Sequence, residues 1–262
     1  MILADVLGLS RASIIANADR KLEASEHRQA SAMIARRQAG EPMAYILGIR
    51  EFYGHEFIVT PDVLIPRPET EVLVEQALAR LALYRTSAIP CVLDLGTGSG
   101  AIAVSIAASK PAIRVVATDI SSSALAVARQ NAERHNVNIR FVESDWFTAL
   151  PAEKFDLILS NPPYVAHGDP HLTQGDLRFE PPQALTDRAV GQQGLACIRR
   201  IIGDAPLHLN DEGWLLFEHG YDQADACRQM LVEGGFTDLV AIPDLAGITR
   251  VSGGKFIAER GI

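Results

Sequence analysis

The residues whose types most clearly suit chemistry lie in one short segment, Asn161-Pro162-Pro163-Tyr164, which follows the apolar run 155–159. The run predicts a buried strand, which two consecutive prolines end. Asn161 then presents a carboxamide whose oxygen accepts a hydrogen from another –NH2 group. The backbone carbonyl of Pro162 is predicted to take the second hydrogen, and Tyr164 to stack on or wall in the planar group. An ordinary Asn-Pro turn is the alternative interpretation.

A second candidate site is the glycine-rich segment Asp94-Leu95-Gly96-Thr97-Gly98-Ser99-Gly100, which follows the first predicted strand of the α/β region. Glycines let the backbone turn tightly and approach a ligand closely. The dinucleotide fingerprint is Gly-x-Gly-x-x-Gly and cradles a pyrophosphate, whereas the spacing here is Gly-x-Gly-x-Gly after an acid. This spacing favours a ligand with a cationic head and no phosphate, so we interpret the segment as a loop for S-adenosylmethionine rather than NAD.

Three more polar or aromatic positions follow the next two predicted strands. Asp119 ends the second strand, where a carboxylate can accept from both ribose hydroxyls. Asp145 and Trp146 follow the third strand, and we predict that Asp145 accepts from the adenine amino group and that Trp146 packs against the ring. Core packing is the alternative for Trp146. The carboxyl ends of the strands in an open α/β sheet form its ligand-binding edge, which Asn161 shares.

The elements that must position these residues alternate between strand and helix from residue 90 onward. Strands are predicted over 91–95, 114–119, 139–143, 155–160, 214–218, 239–242 and 255–258. Helices are predicted over 101–109, 121–135, 194–207 and 222–233. This alternation predicts an α/β fold with a doubly wound, mostly parallel sheet. The long polar stretch 165–193 is predicted to be a functional loop.

The first part of the chain differs in composition from the alternating strand and helix region. Residues 1–47 are rich in helix formers and predict a small helical domain for packing or partner recognition. Residues 48–68 predict a linking β-hairpin, and 69–262 the α/β domain. Arg67 lies between two prolines, either as a solvated linker residue or at the mouth of the active site.

Composition restricts the function further. The formal net charge is −8, which argues against direct nucleic-acid binding over a broad surface, because such binding needs a basic face. Three cysteines without metal-like or disulfide-like spacing predict reduced thiols and a cytoplasmic protein. No apolar stretch is long enough to span a membrane, and we predict no metal site.

Gly-Thr-Gly-Ser-Gly, Asp119, Ser-Asp-Trp-Phe and Asn-Pro-Pro-Tyr, in this order, resemble class I S-adenosylmethionine-dependent methyltransferases that alkylate planar nitrogens. Asn-Pro-Pro-Tyr is also shared by adenine-N6 enzymes acting on nucleic acid, which is the alternative function. Further motifs make the chain similar to the glutamine-N5 methyltransferases of peptide-chain release factors (PrmC/HemK type). These motifs are Tyr45-Ile46-Leu47-Gly48, Phe52-Tyr53-Gly54, the stretch 64–71, Arg178-Phe179-Glu180-Pro181, Phe217-Glu218-His219-Gly220 and Asp244-Leu245-Ala246-Gly247.

The resemblance implies a Rossmann-like sheet of seven strands with an antiparallel last strand. It implies that S-adenosylmethionine is converted to S-adenosylhomocysteine and that the substrate is the glutamine of the Gly-Gly-Gln loop in class I release factors. Arg67, Glu180 and Glu218 are then candidates for lining the mouth, with structural ion pairs as the alternative for the two glutamates. We further predict a monomer.

Overall fold

The described residues form one sheet of seven strands, in the order β5-β4-β3-β6-β7-β9-β8. The computed structural model describes residues 1–83, 89–151 and 153–258, so the remaining residues of the predicted domain 69–262 lie outside this description. The strands are β3 (Cys91–Leu95), β4 (Arg114–Asp119), β5 (Arg140–Glu143), β6 (Phe155–Ser160), β7 (Leu209–Glu218), β8 (Thr237–Pro243) and β9 (Thr249–Lys255). A separate antiparallel hairpin consists of β1 (Ile49–Phe52) and β2 (His55–Ile58).

Ten α-helices are formed by the described residues. Four of them precede the hairpin: α1 (Ile2–Leu7), α2 (Arg11–Ala16), α3 (Ala24–Gln38) and α4 (Met43–Leu47). The other six are α5 (Glu71–Leu83), α6 (Ala101–Ser109), α7 (Ser122–Arg134), α8 (Pro182–Leu185), α9 (Ala196–Asp204) and α10 (Ala224–Glu233). None of the described helices is long and apolar enough to span a bilayer.

Neighbouring strands from β5 to β7 are parallel, and β9 runs antiparallel to both β7 and β8. The chain leaves β3 for β4 on one side and later returns to β6 on the other, so the strand order reverses at β3. Such a reversal opens a crevice at the carboxyl ends of the strands. The predicted doubly wound, mostly parallel sheet of seven strands is confirmed, and its topology places the crevice between the ends of β3, β4 and β6.

Two apolar clusters cover the two faces of the sheet. Alternate residues of β3 serve both, because Val92 packs with Leu73 and Ile102 on one face and Leu93 packs with Ile198 on the other. Helices α5, α6 and α7 therefore cover one face, and α9 and α10 cover the opposite face. This two-sided burial explains why the central strands are almost continuously apolar.

The prediction for the last strand was wrong, because β9 spans Thr249–Lys255 and not 255–258. This strand contains Gly253, which packs so closely on β7 that an added Cβ would lie 2.1 Å from the backbone oxygen of Leu215. Glycine is a poor strand former when judged by propensity alone. Here the close approach of the two backbones favours it.

A third cluster joins the helical segment, the hairpin linker and the α/β region. Tyr45 of α4 packs with Val63 and Ile65 of the linker and with Val127 of α7. The Tyr45 hydroxyl donates to the backbone oxygen of Val63 at 2.6 Å. The linker is thereby held above the crevice in the sheet.

Candidate active site

A cavity of about 300 Å³ opens at the carboxyl ends of β3, β4 and β6 and is bounded by the linker. The predicted site residues that line it are Arg67, Gly96, Thr97, Gly98, Ser99, Asp119, Asp145, Trp146, Asn161 and Pro163. The glycine loop and Asn161, which are far apart in sequence, thus lie at one cavity. The other predicted site residues, which do not appear among the lining residues, are Asp94, Gly100, Pro162, Tyr164 and Glu180.

The glycine loop turns from β3 into α6, and two of its three glycines have different surroundings. Gly98 has φ +55°, and a Cβ added there would meet no protein atom within 4 Å. Gly100 has φ +82°, and an added Cβ would lie 3.1 Å from the Cβ of Ala128. Gly98 therefore leaves space for a ligand beside the backbone, whereas Gly100 allows the start of α6 to pack against α7.

Asp94 lies beneath this loop and is fully buried. Its Oδ2 accepts from the Thr97 hydroxyl at 2.6 Å, and Oδ1 makes no hydrogen bond within the described part of the chain. Burial raises the pKa of Asp94 to about 7. The carboxyl group thus supports the loop from below through its bond to Thr97.

Asp119 ends β4 beside the loop. Its Oδ2 accepts from the backbone N–H of Gly98 at 2.9 Å, and its Oδ1 accepts from the N–H of Ser121 at 2.9 Å. Burial raises its pKa, while these two backbone donors oppose that change. Each carboxylate oxygen has lone-pair capacity for a further donor. The geometry therefore combines an acceptor for hydroxyl groups with an anchor for Gly98.

Asp145 and Trp146 lie on the far side of the loop. Asp145 accepts from the Arg200 guanidinium with both oxygens, at 2.9 and 2.8 Å, and both side chains are exposed. The Trp146 ring lies next to the loop, because a Cβ added to Gly96 would be 3.5 Å from Trp146 Cζ3. Sequence reasoning missed Arg200, whose only signal is a cation on the amphipathic helix α9.

These surroundings fit S-adenosylmethionine. Asp119 supplies an acceptor for ribose hydroxyls, the backbone at Gly98 is open, and Trp146 offers an aromatic surface beside the loop. Carboxylates in and under the loop suit a ligand with a cationic centre. No group of His, Cys, Asp and Glu side chains in the described residues could hold a metal ion.

Asn161 follows β6 and reaches the cavity. Its Nδ2 donates to the Thr70 hydroxyl at 3.0 Å. Tyr164 lies behind it, and its hydroxyl donates to Glu218 at 2.9 Å. Thr70, in the short turn between the linker and α5, also lines the cavity. Thr70 was not among the predicted site residues, because its one sequence signal was its place in the stretch 64–71 of the family motifs.

Arg67 extends from the linker into the cavity and forms an ion pair with the buried Glu180. The other oxygen of Glu180 accepts from the N–H of Ile65 at 3.0 Å. Arg67 thus combines a place in the wall with a structural ion pair, and Glu180 ties the loop 165–193 to the linker.

Two protein families match parts of the chain. The PrmC N-terminal domain matches residues 1–48, and the Methyltransferase small domain matches residues 70–177. Among solved structures, the Thermus thermophilus 16S rRNA N2 G1207 methyltransferase in complex with AdoMet and guanosine aligns with a TM-score of 0.57 and 19% identity. That alignment covers 79% of this chain and 49% of the other, and it supports the fold alone.

Curated relatives are much more similar. A release factor glutamine methyltransferase of Bordetella pertussis is 52% identical over 255 residues, which cover 97% of this chain and 92% of that protein. The protein of the same description from Escherichia coli is 42% identical over 258 residues, covering 98% and 90%. The predicted resemblance and the predicted cofactor are confirmed. With relatives this similar over nearly its whole length, the chain belongs to the release factor glutamine methyltransferases, which use S-adenosylmethionine as the methyl donor.

Proposed function

We propose that this protein transfers a methyl group from S-adenosylmethionine to the side-chain amide nitrogen (N5) of the glutamine in the Gly-Gly-Gln motif of class I release factors, and so modulates translation termination. The observation that carries the proposal is the position of Asn161. Its amide reaches the cavity that the glycine loop and Asp119 also line. An amide that recognises another amide therefore lies beside the residues proposed to bind the donor.

Asp119 is proposed to bind the ribose, and Asp145 and Trp146 to contact the adenine. The loop residues Gly96, Thr97, Gly98 and Ser99 are proposed to surround the rest of the donor, with Asp94 and Gly100 shaping the loop. Arg200 already occupies both oxygens of Asp145. Adenine recognition by Asp145 therefore requires a shared or rearranged ion pair.

A carboxamide nitrogen is a poor nucleophile, because its lone pair is delocalised into the carbonyl. The proposed task of Asn161 Oδ1 and the Pro162 backbone oxygen is to accept the two hydrogens of the target amide. These acceptors orient the nitrogen toward the sulfonium methyl, and positioning alone contributes about 7–11 kcal/mol in well-aligned cases. They also attract a nitrogen more strongly as it becomes cationic, which favours the transition state.

No general base is assigned, because the amide nitrogen keeps its hydrogens until the new bond forms and the excess proton can then leave. Pro163 and Arg67 are proposed to line the entrance for the glutamine, and Tyr164 and Glu180 to support it from behind. Tyr164 in particular binds Glu218 through its hydroxyl. Its proposed role is therefore closer to support than to stacking.

A protein substrate agrees with the net charge of −8, since broad contact with nucleic-acid phosphates needs a basic face.

Each part of the chain has a proposed role. The segment 1–47 is proposed to recognise the release factor, and the segment 69–262 to catalyse methyl transfer. The segment 48–68 is proposed to link these two parts. We place the protein in the cytoplasm, where release factors act, and predict a monomer, which light scattering would test.

A direct competition tests the proposed substrate. The protein is incubated with methyl-labelled S-adenosylmethionine, a purified class I release factor and an adenine-containing DNA duplex in one tube. We expect label in the release factor and none in the duplex. A release factor with Gln replaced by Glu in its Gly-Gly-Gln motif is the control and should stay unlabelled. Label in the duplex would favour the adenine-N6 alternative.

A further inference from the structure

Four side chains from three segments of the chain form a hydrogen-bonded series that begins at Asn161. Asn161 Nδ2 donates to Thr70 Oγ1 at 3.0 Å, and the Thr70 hydroxyl donates to Glu218 Oε2 at 2.6 Å. The other oxygen of Glu218 accepts from the Tyr164 hydroxyl at 2.9 Å. Thr70 directly precedes α5, Asn161 follows β6 and Glu218 ends β7, so the series joins parts of the chain that are distant in sequence.

The donor and acceptor roles in this series follow from chemistry. Glu218 is 1% exposed, and as a carboxylate it can only accept hydrogen bonds. It therefore takes the hydroxyl hydrogen of Thr70 and that of Tyr164. The pKa of Glu218 is raised above its ordinary value by burial, and the two hydroxyl donors and the positive charge of Arg250 offset only part of that rise.

Thr70 has one hydroxyl hydrogen, and Glu218 has taken it. Toward Asn161 the oxygen of Thr70 can then only accept, so the –NH2 side of the Asn161 amide must face it. A flipped amide would set two acceptor oxygens against each other. The flipped orientation of the Asn161 amide is therefore excluded, because the hydroxyl hydrogen of Thr70 is already donated to Glu218.

Because the –NH2 group of Asn161 faces Thr70, the oxygen of the same amide points away from Thr70. Within the part of the chain that the structure describes, the Asn161 side chain makes its hydrogen bond through Nδ2 alone. Asn161 lines the cavity, so this oxygen is the polar atom of the side chain that is left for a ligand. The same series that fixes the amide leaves an acceptor open.

We propose that Thr70, itself held by Glu218, is a positioning residue that fixes the orientation of the Asn161 amide, so that its oxygen and not its –NH2 group meets the target nitrogen. The inference rests on the proposed function, because it assigns Asn161 Oδ1 the task of accepting from the substrate amide. Thr70 acts through Asn161 and does not touch the reacting atoms.

A double-mutant cycle separates positioning from a merely structural role. Thr70→Val keeps the shape of the side chain and removes the hydroxyl, and Thr70→Ser keeps the hydroxyl. Each is measured alone and combined with Asn161→Ala, as a single-turnover rate with methyl-labelled S-adenosylmethionine and the release factor. Thr118→Val is the matched control, since Thr118 is also buried and its hydroxyl has no partner among the described residues.

We expect Thr70→Val to lower the rate about ten- to hundredfold, since loss of a buried partner leaves the amide free to turn. Thr70→Ser should restore most of the rate, and Thr118→Val should leave it within about twofold. In the Asn161→Ala background, Thr70→Val should change nothing further, because residues that act as a unit are not additive. Equal losses in both backgrounds would overturn the proposal, as would an unchanged rate in Thr70→Val.

A second measurement does not depend on turnover. The side-chain –NH2 signals of Asn161 are identified in a nitrogen-15 NMR spectrum by their absence in Asn161→Ala. We expect their hydrogen exchange with water to be slow in the wild type and in Thr70→Ser and faster in Thr70→Val. Unchanged exchange in Thr70→Val would overturn the positioning role. If the wild type labels no release factor, the proposed function fails, while this measurement still decides the orientation of Asn161.

Discussion

At the scale of single residues, the direction in which a side chain points decides what it does at the site. Asn161 and Tyr164 belong to one motif, yet Asn161 reaches the cavity and Tyr164 turns to Glu218. Asp94 is the last residue but one of β3 and Asp119 ends β4, yet Asp94 is enclosed beneath the loop while Asp119 lines the cavity. Residues of one motif therefore divide between contact with ligands and support of the loop.

Replacing Asn161 tests the amide directly. Asn161→Ala should lower kcat about 10²–10³-fold, as expected when one preorganised partner of a transition state is lost. The dissociation constant of S-adenosylmethionine should change little, because Asp119 and the loop remain. Asn161→Asp keeps an acceptor oxygen but loses the donor to Thr70, so we expect an intermediate rate. Near-normal turnover of folded Asn161→Ala would mean that Asn161 only forms the turn after β6 and has no catalytic role.

The buried carboxyl of Asp94 should make the free energy of unfolding depend on pH. Its pKa is raised from 3.8 to about 7 in the folded protein, so the folded state binds this proton more tightly than the unfolded chain. The stabilisation from the protonated Asp94 carboxyl is then lost as the pH rises from about 4 to about 7. The free energy of unfolding of Asp94→Asn minus that of the wild type should therefore increase from about pH 4 to pH 7.

Urea unfolding at a series of pH values measures this difference. A difference for Asp94→Asn that does not change with pH would mean that Asp94 keeps an ordinary carboxyl pKa in its buried place.

At the scale of elements, the site depends on where strands end and on what crosses above them. The reversal of strand order at β3 opens the crevice, and the linker before α5 closes it from above. Glu180 connects the loop 165–193 to that linker through Arg67 and the N–H of Ile65. The cavity is therefore built by the sheet together with two irregular segments.

Gly98→Val tests the glycine loop. Gly98 has φ +55° with open space beside it, so a side chain there would strain the backbone and fill the space proposed for the donor. A non-glycine residue in this conformation costs about 1–2 kcal/mol. We expect a modest fall in Tm and a loss of S-adenosylmethionine binding by calorimetry.

Gly54→Val is the matched control for this change. Gly54 has φ +74°, no atom within 4 Å of an added Cβ, and a place in the hairpin turn outside the cavity lining. It should lower Tm by a similar amount and leave the affinity for the donor unchanged. If folded Gly98→Val kept its affinity for S-adenosylmethionine, the glycine loop would not be the binding site of the donor.

The sequence predicted the elements better than the directions of side chains. Strand ends at Asp94, Asp119 and Asn161 follow from apolar runs, and the glycine spacing indicates the donor. The partnership of Thr70 with Asn161 spans 91 residues of sequence, and no local pattern encodes such a distance. The burial of Glu180 and the pairing of Asp145 with Arg200 likewise depend on packing between remote segments.

At the scale of the whole molecule, the N-terminal helices contact the long loop that borders the cavity. The Arg178 guanidinium donates to the backbone oxygen of Ala39 at 2.9 Å, and Arg37 pairs with Asp176 at 3.1 Å. Exposed ion pairs such as the second contribute little to stability. Their place is more informative, because the helical segment and the loop lie together at one side of the protein.

Exposed apolar side chains on the N-terminal helices test their proposed part in recognition. Leu3 and Ile15 are 39% and 68% exposed and border one shallow groove. Changing both to Ser should raise KM for the whole release factor by about tenfold, since each buried apolar side chain contributes about 1.5–3 kcal/mol at most. The KM for a short Gly-Gly-Gln peptide should not change.

Val232→Ser on α10 is the matched control, since Val232 is 59% exposed and belongs to a helix on the opposite face of the sheet from α5–α7. It should leave both KM values as they are. If the Leu3 and Ile15 changes affect whole protein and peptide equally, the segment has a structural role and not a recognition role.

The central claim is that the methyl group reaches the side-chain nitrogen of one glutamine. Tandem mass spectrometry of the release factor after incubation with the protein and methyl-labelled S-adenosylmethionine locates the group directly. We predict one labelled methyl on the glutamine of the Gly-Gly-Gln motif, at the amide nitrogen, and a yield about 10²–10³-fold lower after the same short incubation when Asn161→Ala replaces the wild type. A methyl group on another residue, or an equal yield with Asn161→Ala, would contradict the account.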